Sequence, residues 1–399
     1  MRKWLVICLV LALLTGCSQP LPPEVNLPDE NTVKAAGIDS YNQFGFKLYQ
    51  QLLKQNENIL LSPVSVALAL SMAYNGAAGD TQQAMAEVLL VADLDQEELN
   101  KANQLLLQAL QASDVTVEIA NSIWLREGFP FLPDFIELNK TYYDAQVSEL
   151  DFNNPAAAPT INQWVKEHTN GLIEEMVQAP IDPLTIAFLL NAVYFQGDWT
   201  NPFEANQTRE DVFNSPNGQV TVPFMNKTAT FEYLEDTDLQ VVRLPYGEGN
   251  MAMYIFLPND LEEFLQNLTQ EQWAEWRLGF EPLRGELSLP KFKFEYEQSL
   301  NDALTALGMG RAFDPQAADF SNMVEHRQDV HISEVKHKAF IEVDEKGTEA
   351  AAVTSVEMRL TSLPPAPNFT MKVDRPFFFM IHDQHTDAIL FMGSVVDPS

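Results

Sequence analysis

The sequence HISEVKHKAFIEVDEKGTEAAAVT occupies residues 331–354 and changes character halfway along. Its first half alternates polar and apolar side chains and includes Ala339–Val343, a pattern that predicts a half-buried strand. Its second half contains small residues, and an alanine run taken alone favours a helix. Gly347 lies between the halves and supplies a pivot, because glycine tolerates backbone angles that other residues avoid. The segment after Gly347 therefore admits a helical and an extended interpretation.

An extended conformation of residues 347–361 would sort the side chains by polarity, because alternate residues of a strand point to opposite faces. One face would carry only uncharged side chains, small at first and larger later: Thr348, Ala350, Ala352, Thr354, Val356, Met358 and Leu360. The other face would carry all the charges of the segment, in the series Glu349, Ala351, Val353, Ser355, Glu357, Arg359 and Thr361. This pattern is typical of a strand with one buried and one solvent-exposed face.

In the chain that precedes this segment, helical signals come first and strand signals follow. Apolar residues recur at helical spacing from Tyr41 to Leu52, and Ser62-Pro63 is a typical helix start. Further helices are predicted over 80–90 and 96–111, and strands over 115–125, 188–195, 241–244, 251–257, 286–294, 339–343, 377–381 and 389–392. The predicted class is α+β, with helices first and large antiparallel or mixed sheets afterwards.

Residues 1–16 are predicted to be a bacterial lipoprotein signal peptide. Arg2 and Lys3 precede a continuously apolar run over 4–14, which is short for a membrane-spanning helix. Leu14-Thr15-Gly16-Cys17 then resembles a lipobox, in which small residues precede the cysteine that receives the lipid. We expect Cys17 to anchor the protein in the cell envelope, at the outer membrane or at the cell surface or periplasm.

Residues 17–33 are predicted to be the lipidated cysteine and a tether rich in proline and acid, followed by one domain over 34–399. The chain carries 56 acidic and 24 basic residues, a formal net charge of −32. Such a surface repels nucleic acid, so we expect no nucleic-acid partner. Because Cys8 leaves with the signal peptide and Cys17 is lipidated, the mature chain is expected to contain no disulfide.

Six segments of the chain, in order, resemble the serpin family over about 350 residues. They are NILLSPVSVALALSMAYNGAAGDT (58–81), FLLNAVYFQGDWTNPF (188–203), LPYGEGNMAMYIFLPN (244–259), LSLPKFKFEYEQSLNDALTALGM (287–309), the segment 331–354 and VDRPFFFMIHDQHTDAILFMGSVVDP (373–398). With this resemblance, the extended interpretation of the segment after Gly347 is favoured over the helical one.

The resemblance implies an α+β fold of about eight to nine helices packed on three β-sheets, with an exposed reactive-centre loop at about 345–369. It also implies a monomeric inhibitor of serine proteases that is not itself an enzyme and needs no cofactor or metal. In the serpin mechanism a protease cleaves the loop and forms an acyl-enzyme. The cut loop then enters the central sheet as a new strand and carries the protease away before deacylation.

The resemblance also assigns site residues. The hinge of the loop comprises Glu345, Gly347, Thr348, Glu349, Ala350, Ala351 and Ala352. A buried polar cluster under the sheet, called the shutter, comprises Ser62, Ser65, Asn191 and His337. Trp199 matches the tryptophan near the point where the loop enters, called the breach. The small hinge residues, with no proline in the loop before Pro364, favour an inhibitory member.

The reactive bond is less sharply defined than the hinge. The usual inhibitory spacing from Glu345 gives Thr361-Ser362, with cleavage after Leu360 or Arg359 as alternatives. Thr361 favours elastase-like or subtilisin-like serine proteases, whereas Leu360 favours chymotrypsin-like and Arg359 trypsin-like enzymes. Papain-like cysteine proteases are a further candidate target class.

Two rival interpretations have less support. A non-inhibitory serpin could act as a binding or structural protein of the envelope. Catalysis has no sequence support, because a nucleophile elbow, a phosphate-binding glycine loop and a His-Glu-x-x-His motif are all absent. His331, Glu334 and His337 are spaced three apart, but the surrounding pattern is that of a strand, so no metal site is predicted.

Overall fold

The described residues are 37–54, 56–325, 330–348 and 366–399 of a computed structural model. Helices dominate the first part of this chain and strands the second, as predicted. Besides one short 3-10 turn at Ala205–Gln207, nine helices lie in the described residues when the kinked segment 301–313 is counted once. They are α1 (Ile38–Leu52), α2 (Pro63–Tyr74), α3 (Gly79–Leu89), α4 (Gln96–Gln111), α5 (Pro133–Tyr143), α6 (Ala157–His168), α7 (Leu261–Asn267), α8 (Gln270–Arg277) and α9 (Asn301–Leu304, Thr305–Met309 and Gly310–Phe313).

Fifteen strands accompany these helices in the described ranges. They are β1 (Ile59–Leu61), β2 (Thr116–Arg126), β3 (Gln146–Leu150), β4 (Ala187–Asp198), β5 (Arg209–Ser215), β6 (Gly218–Asp236), β7 (Leu239–Pro245), β8 (Met251–Pro258), β9 (Glu281–Pro290), β10 (Phe292–Ser299), β11 (Lys336–Val343), β12 (Gly347–Thr348), β13 (Phe369–Lys372), β14 (Phe377–Asp383) and β15 (Ile389–Val395). The predicted terminal pair of apolar strands is confirmed as the antiparallel hairpin β14–β15.

The strands form a six-stranded and a nine-stranded sheet. The six-stranded sheet has the order β10-β11-β12-β4-β2-β3. The nine-stranded sheet has the order β1-β15-β14-β8-β7-β6-β9-β13, with β5 also paired to β6. The long strand β6 divides the larger sheet into two parts, because its first residues pair with β5 and its last with β7. The three predicted sheets thus correspond to the six-stranded sheet and to the two parts of the nine-stranded sheet, which share β6.

One predicted strand has the wrong boundaries. The run over 286–294 was predicted as a single strand, but the structure ends β9 at Pro290 and begins β10 at Phe292, in the other sheet. Between them, the Lys291 backbone N–H donates to the Pro223 carbonyl oxygen at 2.9 Å. Pro290 has no N–H to extend a ladder, so the chain leaves one sheet here and enters the next.

Two apolar clusters cover the opposite faces of the six-stranded sheet. Ile123 and Trp124 are neighbours in β2, yet Ile123 belongs to the main core and Trp124 to a smaller cluster with Ile161 and Trp164 of α6. Adjacent residues of a strand point to opposite faces. We therefore call the face toward the main core the rear face and the face that carries α6 the front face.

The helix α2 lies in the main core behind this sheet. Ser62 accepts a hydrogen bond from the Ser65 backbone N–H at 3.3 Å, and Pro63 occupies the first helical position, so the predicted helix start is confirmed. Because α2 is apolar on nearly every side, burial of the whole helix is favourable. This burial brings the first turn of α2 to the rear face of the sheet.

Candidate functional site

The first hinge residues form the short strand β12 at one end of the six-stranded sheet. Thr348 pairs with Val343 of β11 on one side and with Gly197 of β4 on the other. Gly347 pairs with Asp198, and both pairings are antiparallel. The start of the predicted loop therefore already occupies the position of a strand between β4 and β11.

Glycine is required at position 347 by the close approach of β4. A Cβ atom added to Gly347 would lie 2.0 Å from the Gly197 carbonyl oxygen and 2.8 Å from the Asp198 Cα atom. Both contacts are with backbone atoms, which cannot rotate away as a flexible side chain can. The absence of a side chain thus allows the hinge to begin inside the sheet.

The side chain of Thr348 points to the rear face. It is 3% exposed, and its hydroxyl is hydrogen-bonded to the Tyr246 hydroxyl at 2.7 Å. Burial raises the pKa of Tyr246 above its usual value, so the phenol stays neutral. Thr348 is the first member of the uncharged series predicted from the alternation, and it faces the core as that series requires.

Glu345 is fixed by contacts with three separate segments. Its carboxylate accepts hydrogen bonds from Lys291 Nζ at 2.8 Å and from the Thr208 hydroxyl at 2.7 Å. Its carbonyl oxygen accepts the Phe203 backbone N–H at 2.7 Å. Partial burial alone would raise the pKa of Glu345, but the hydrogen bonds from Lys291 and Thr208 outweigh it and lower the pKa. Glu345 is therefore an ionised anchor just before the hinge glycine.

Trp199 packs directly over the same turn. Its indole Nε1–H donates to the Asp344 carbonyl oxygen at 2.9 Å, and its backbone N–H donates to the Lys346 carbonyl oxygen at 2.7 Å. The indole also stacks on the Tyr246 ring, with centroids 4.4 Å apart and planes 13° from parallel. Trp199 thus holds the backbone on both sides of Glu345.

The two strands that flank β12 do not pair with each other among the described residues. Each pairs with its outer neighbour and with β12. A small cavity directly below Thr348 is lined by residues 193–195 of β4 and 340–342 of β11. A cavity of about 750 Å³ follows, and its lining includes Asn191 and His337. We call the region between β4 and β11 the slot.

The four predicted shutter residues lie together at the rear of the slot. The Ser62 backbone N–H donates to His337 Nε2 at 3.4 Å, and the Ser65 hydroxyl donates to Asn191 Oδ1. All four residues are buried. Burial lowers the pKa of His337 to about 4, although a hydrogen bond with the Leu60 backbone acts in the opposite direction. The imidazole is therefore neutral at pH 7.

The polar cluster extends beyond the residues that were predicted. Asn191 Nδ2 donates to Asn121 Oδ1 at 2.7 Å, and Asn121 Nδ2 donates to the Tyr143 carbonyl oxygen at 2.7 Å. Sequence reasoning missed Asn121, although an amide inside the apolar strand over 115–125 was an available signal. It also missed Tyr246 and Lys291, for which no such signal exists, because their roles depend on segments distant in sequence.

The remaining predicted site residues lie outside the described residues. They are the hinge residues Glu349, Ala350, Ala351 and Ala352, the reactive-bond residues Thr361 and Ser362 with the alternatives Leu360 and Arg359, and the lipidation residue Cys17. Within the ranges that the structure describes, no His, Cys, Asp and Glu side chains are grouped to hold a metal ion. No helix in those ranges has the length and apolar character needed to cross a bilayer.

The short strand β12 between β4 and β11 of a mixed sheet, above a buried polar cluster and with helices packed on the sheets, defines a class of α+β protein. The chain matches the family model described as Serpin (serine protease inhibitor) over residues 39–398, and it belongs to the serpin family. The predicted serpin resemblance and α+β serpin fold are confirmed.

Known relatives agree with this membership. An uncharacterized serpin-like protein of Thermococcus kodakarensis is 37% identical over 368 residues, which cover 90% of this chain and 85% of the relative. The leukocyte elastase inhibitor of Xenopus tropicalis is 34% identical over 379 residues, covering 89% and 97%. The crystal structure of the thermophilic serpin tengpin in the native state matches with a TM-score of 0.82 and 34% identity, covering 93% of this chain and 95% of tengpin.

Proposed function

We propose that this protein inhibits serine-type endopeptidases as a suicide substrate. The observation that carries the proposal is the position of β12, because Thr348 already pairs with both strands that border the slot and Gly347 pairs with β4. A protease that cut the chain beyond the hinge would free the loop to extend β12 along the slot. The protease, bound as an acyl-enzyme, would travel with it. Serpins are typically protease inhibitors rather than enzymes, and a relative is named leukocyte elastase inhibitor.

The register of β12 indicates what the extended strand would meet. Thr348 pairs with Gly197 and Val343, and continuing both antiparallel ladders places position 354 opposite Asn191 and His337. Residue 354 is a threonine on the same face of the strand as Thr348. The proposed strand would therefore bring a hydroxyl to the shutter, where it can replace or join the hydrogen bonds of the buried cluster.

Insertion of this strand supplies enough free energy to distort a folded protease. About a dozen new backbone hydrogen bonds at ~0.5–1.5 kcal/mol each, together with apolar burial, give roughly 10–30 kcal/mol. The free energy of unfolding of an ordinary domain is about 5–15 kcal/mol. The two quantities are comparable, so a protease drawn to the far end of the sheet can lose its active geometry.

We propose an elastase-like or subtilisin-like protease as the target. The reason is that Thr361-Ser362 lies at the usual inhibitory distance from Glu345, and a threonine fits small or apolar specificity pockets. Mass spectrometry of the peptide released by a trapped protease would identify the reactive bond. Cleavage after Leu360 or Arg359 would shift the target to chymotrypsin-like or trypsin-like enzymes.

Complex formation with a panel of serine proteases and papain tests the inhibitor proposal. We expect a denaturant-resistant band at the combined mass, with about one inhibitor consumed per protease. Thr348→Arg would place a charge beside Tyr246 in the core, so this variant should be cleaved without forming a complex. Thr237→Arg, in an exposed turn between β6 and β7, is the matched control and should trap protease as the wild type does.

Three outcomes would contradict parts of the proposal. Cleavage of the wild-type loop without a stable complex, for every protease tested, would favour a non-inhibitory binding or structural role. Repeated turnover of a substrate would favour an enzyme. A complex formed equally well by Thr348→Arg would show that the hinge is wrongly assigned.

We also propose that Cys17 carries a lipid that holds the protein in the cell envelope, at the outer membrane or at the cell surface or periplasm. The support is the lipobox-like sequence that ends in Cys17, after an apolar run over 4–14. Cys17→Ser should abolish labelling by a fatty-acid analogue and move the protein from the membrane fraction to the soluble fraction. Unchanged labelling of Cys17→Ser would contradict the anchor.

A further inference from the structure

The segment that follows α6 crosses the front of the slot. We call residues 169–178 the strap; they have no helix or strand. Leu172 and Ile173 of the strap line the small cavity below Thr348, together with residues of both β4 and β11. Met176 and Val177 line the cavity of about 750 Å³ further along the slot. The strap therefore follows the path that an inserted strand would take.

A single side chain ties the last residues of the strap to α6. Asn162 Oδ1 accepts hydrogen bonds from the backbone N–H groups of Met176 at 2.9 Å and Val177 at 2.8 Å. Asn162 Nδ2 donates to the Val177 carbonyl oxygen at 2.8 Å. Three hydrogen bonds from one half-buried amide fix both the position and the direction of the strap backbone.

Further contacts tie the strap to β4 and to α6. Asn170 Nδ2 donates to the Tyr194 hydroxyl of β4 at 3.3 Å. Glu174 accepts a hydrogen bond from Lys166 of α6 at 2.7 Å, which lowers the pKa of Glu174, and the charge of Lys338 on β11 acts in the same direction. The strap thus contacts β4 and comes within electrostatic reach of β11.

A strand added to the slot changes the geometry that the strap spans. Neighbouring strands lie about 4.8 Å apart, so β4 and β11 must accommodate one further strand between them. The strap must shift or detach from α6 while this happens. We infer that Asn162 is a positioning residue that latches the strap across the slot and sets the rate at which the cleaved loop enters. This inference rests on the proposed function and names a residue that regulates the same site.

The test compares Asn162→Ala with a control that loses the same kind of hydrogen bonds elsewhere. Asn58 makes the same three-bond pattern with the C-terminal segment, accepting from Val396 N–H at 2.8 Å and Asp397 N–H at 3.0 Å and donating to the Asp397 carbonyl oxygen at 2.6 Å. The loop of each variant is nicked briefly by a protease, and the appearance of a heat-resistant form is followed over time. The number of inhibitor molecules consumed for each protease that is trapped is measured in a separate titration.

We expect nicked Asn162→Ala to insert about tenfold faster, because the hydrogen bonds to the strap no longer have to break. Faster insertion should also lower the number of inhibitors consumed per trapped protease. Asn162→Asp keeps the acceptor for the two N–H groups and loses the donor, so its rate should be intermediate. Asn58→Ala should insert at the wild-type rate, even though the intact protein loses thermal stability as Asn162→Ala does.

The outcomes separate this inference from the inhibitor proposal. Equal or slower insertion in Asn162→Ala, with normal trapping by the wild type, would overturn the latch alone. Faster insertion in Asn162→Ala, with no protease trapped by the wild type, would overturn the inhibitor proposal alone. A nicked wild type that never gains heat resistance would overturn both.

Discussion

His337 is the titratable side chain at the rear of the slot. Its Nε2 atom accepts the Ser62 backbone N–H, and the residue is 5% exposed. A proton added to Nε2 would remove this acceptor and place a charge in the core beneath β11. The neutral imidazole is therefore part of the hydrogen-bonded cluster, and acid should weaken that cluster.

The free energy of unfolding should fall as the pH decreases from 6.5 toward 4. The unfolded His337 side chain binds a proton near pH 6.5, whereas the folded one binds it only near pH 4, so the unfolded state holds an extra proton in between. The contribution of His337 to the free energy of unfolding is fully present above pH 6.5. It amounts to about 3 kcal/mol, which is lost as the pH falls through 4. Denaturant titrations between pH 7 and pH 4.5 measure it.

The variant His337→Gln isolates this contribution, because glutamine cannot be protonated. Its free energy of unfolding should change less over the same pH interval than that of the wild type. His168→Gln, on α6, is the control for removal of a histidine outside the shutter. An identical pH dependence of His337→Gln and the wild type would contradict the assignment.

At the scale of elements, the turn between β11 and β12 depends on segments that are distant in sequence. Glu345 within this turn contacts Lys291 between β9 and β10, and Thr208 just before β5. Trp199, just after β4, holds the backbone of the same turn. The hinge is therefore positioned by the ends of several strands rather than by its own sequence.

Reversing the charge at Glu345 should loosen this turn. In Glu345→Lys two ammonium groups would face each other, and the bond from Thr208 would lose its acceptor. We expect β12 to detach more readily, so that the monomer inserts its loop prematurely or self-associates on mild heating. Size-exclusion chromatography after heating measures both. Glu286→Lys, an exposed change of the same charge on β9, should behave as the wild type; equal behaviour of the two variants would contradict the role of Glu345.

Sequence patterns predicted the continuously apolar elements best, whereas the nineteen-residue strand β6, which mixes buried and exposed residues, was not predicted. The continuous apolar runs that became β8, β14 and β15 were predicted because strands covered on both faces contain apolar residues at every position. The four-residue strand β13 was not predicted, and the alternation over 347–361 did not indicate that β12 is already paired in the intact chain, because pairing partners rather than local residues decide both. The break at Lys291 was missed for the same reason.

The candidate site could be predicted only where the local sequence identifies its residues. Ser62, Ser65, Asn191 and His337 came from the serpin resemblance, and the structure brings these four side chains together. The inward direction of Thr348 followed from the alternation once the serpin resemblance favoured the extended interpretation. The partners of Glu345 and the strap contacts of Asn162 could not be predicted, since they join segments that no periodicity connects.

For the whole molecule, we propose that the intact chain is held short of its most stable arrangement. The slot is bordered by β4 and β11, which share only β12 as a common neighbour among the described residues. Extension of β12 would add a ladder on both sides at once, and the strap and the shutter would delay that extension until a protease cuts the loop. The order of six serpin-like segments predicted this architecture, whereas the delay depends on tertiary contacts.

Calorimetry of the intact and the loop-nicked protein tests this proposal most directly. If nicking allows β12 to extend, the midpoint of thermal unfolding should rise by roughly 10–20 °C or more. Thr348→Arg should show no such rise, because the charged side chain would keep residue 348 out of the core and β12 could then not extend along the slot. An unchanged midpoint in the nicked wild type would contradict a metastable intact state, and with it the proposed inhibitory mechanism.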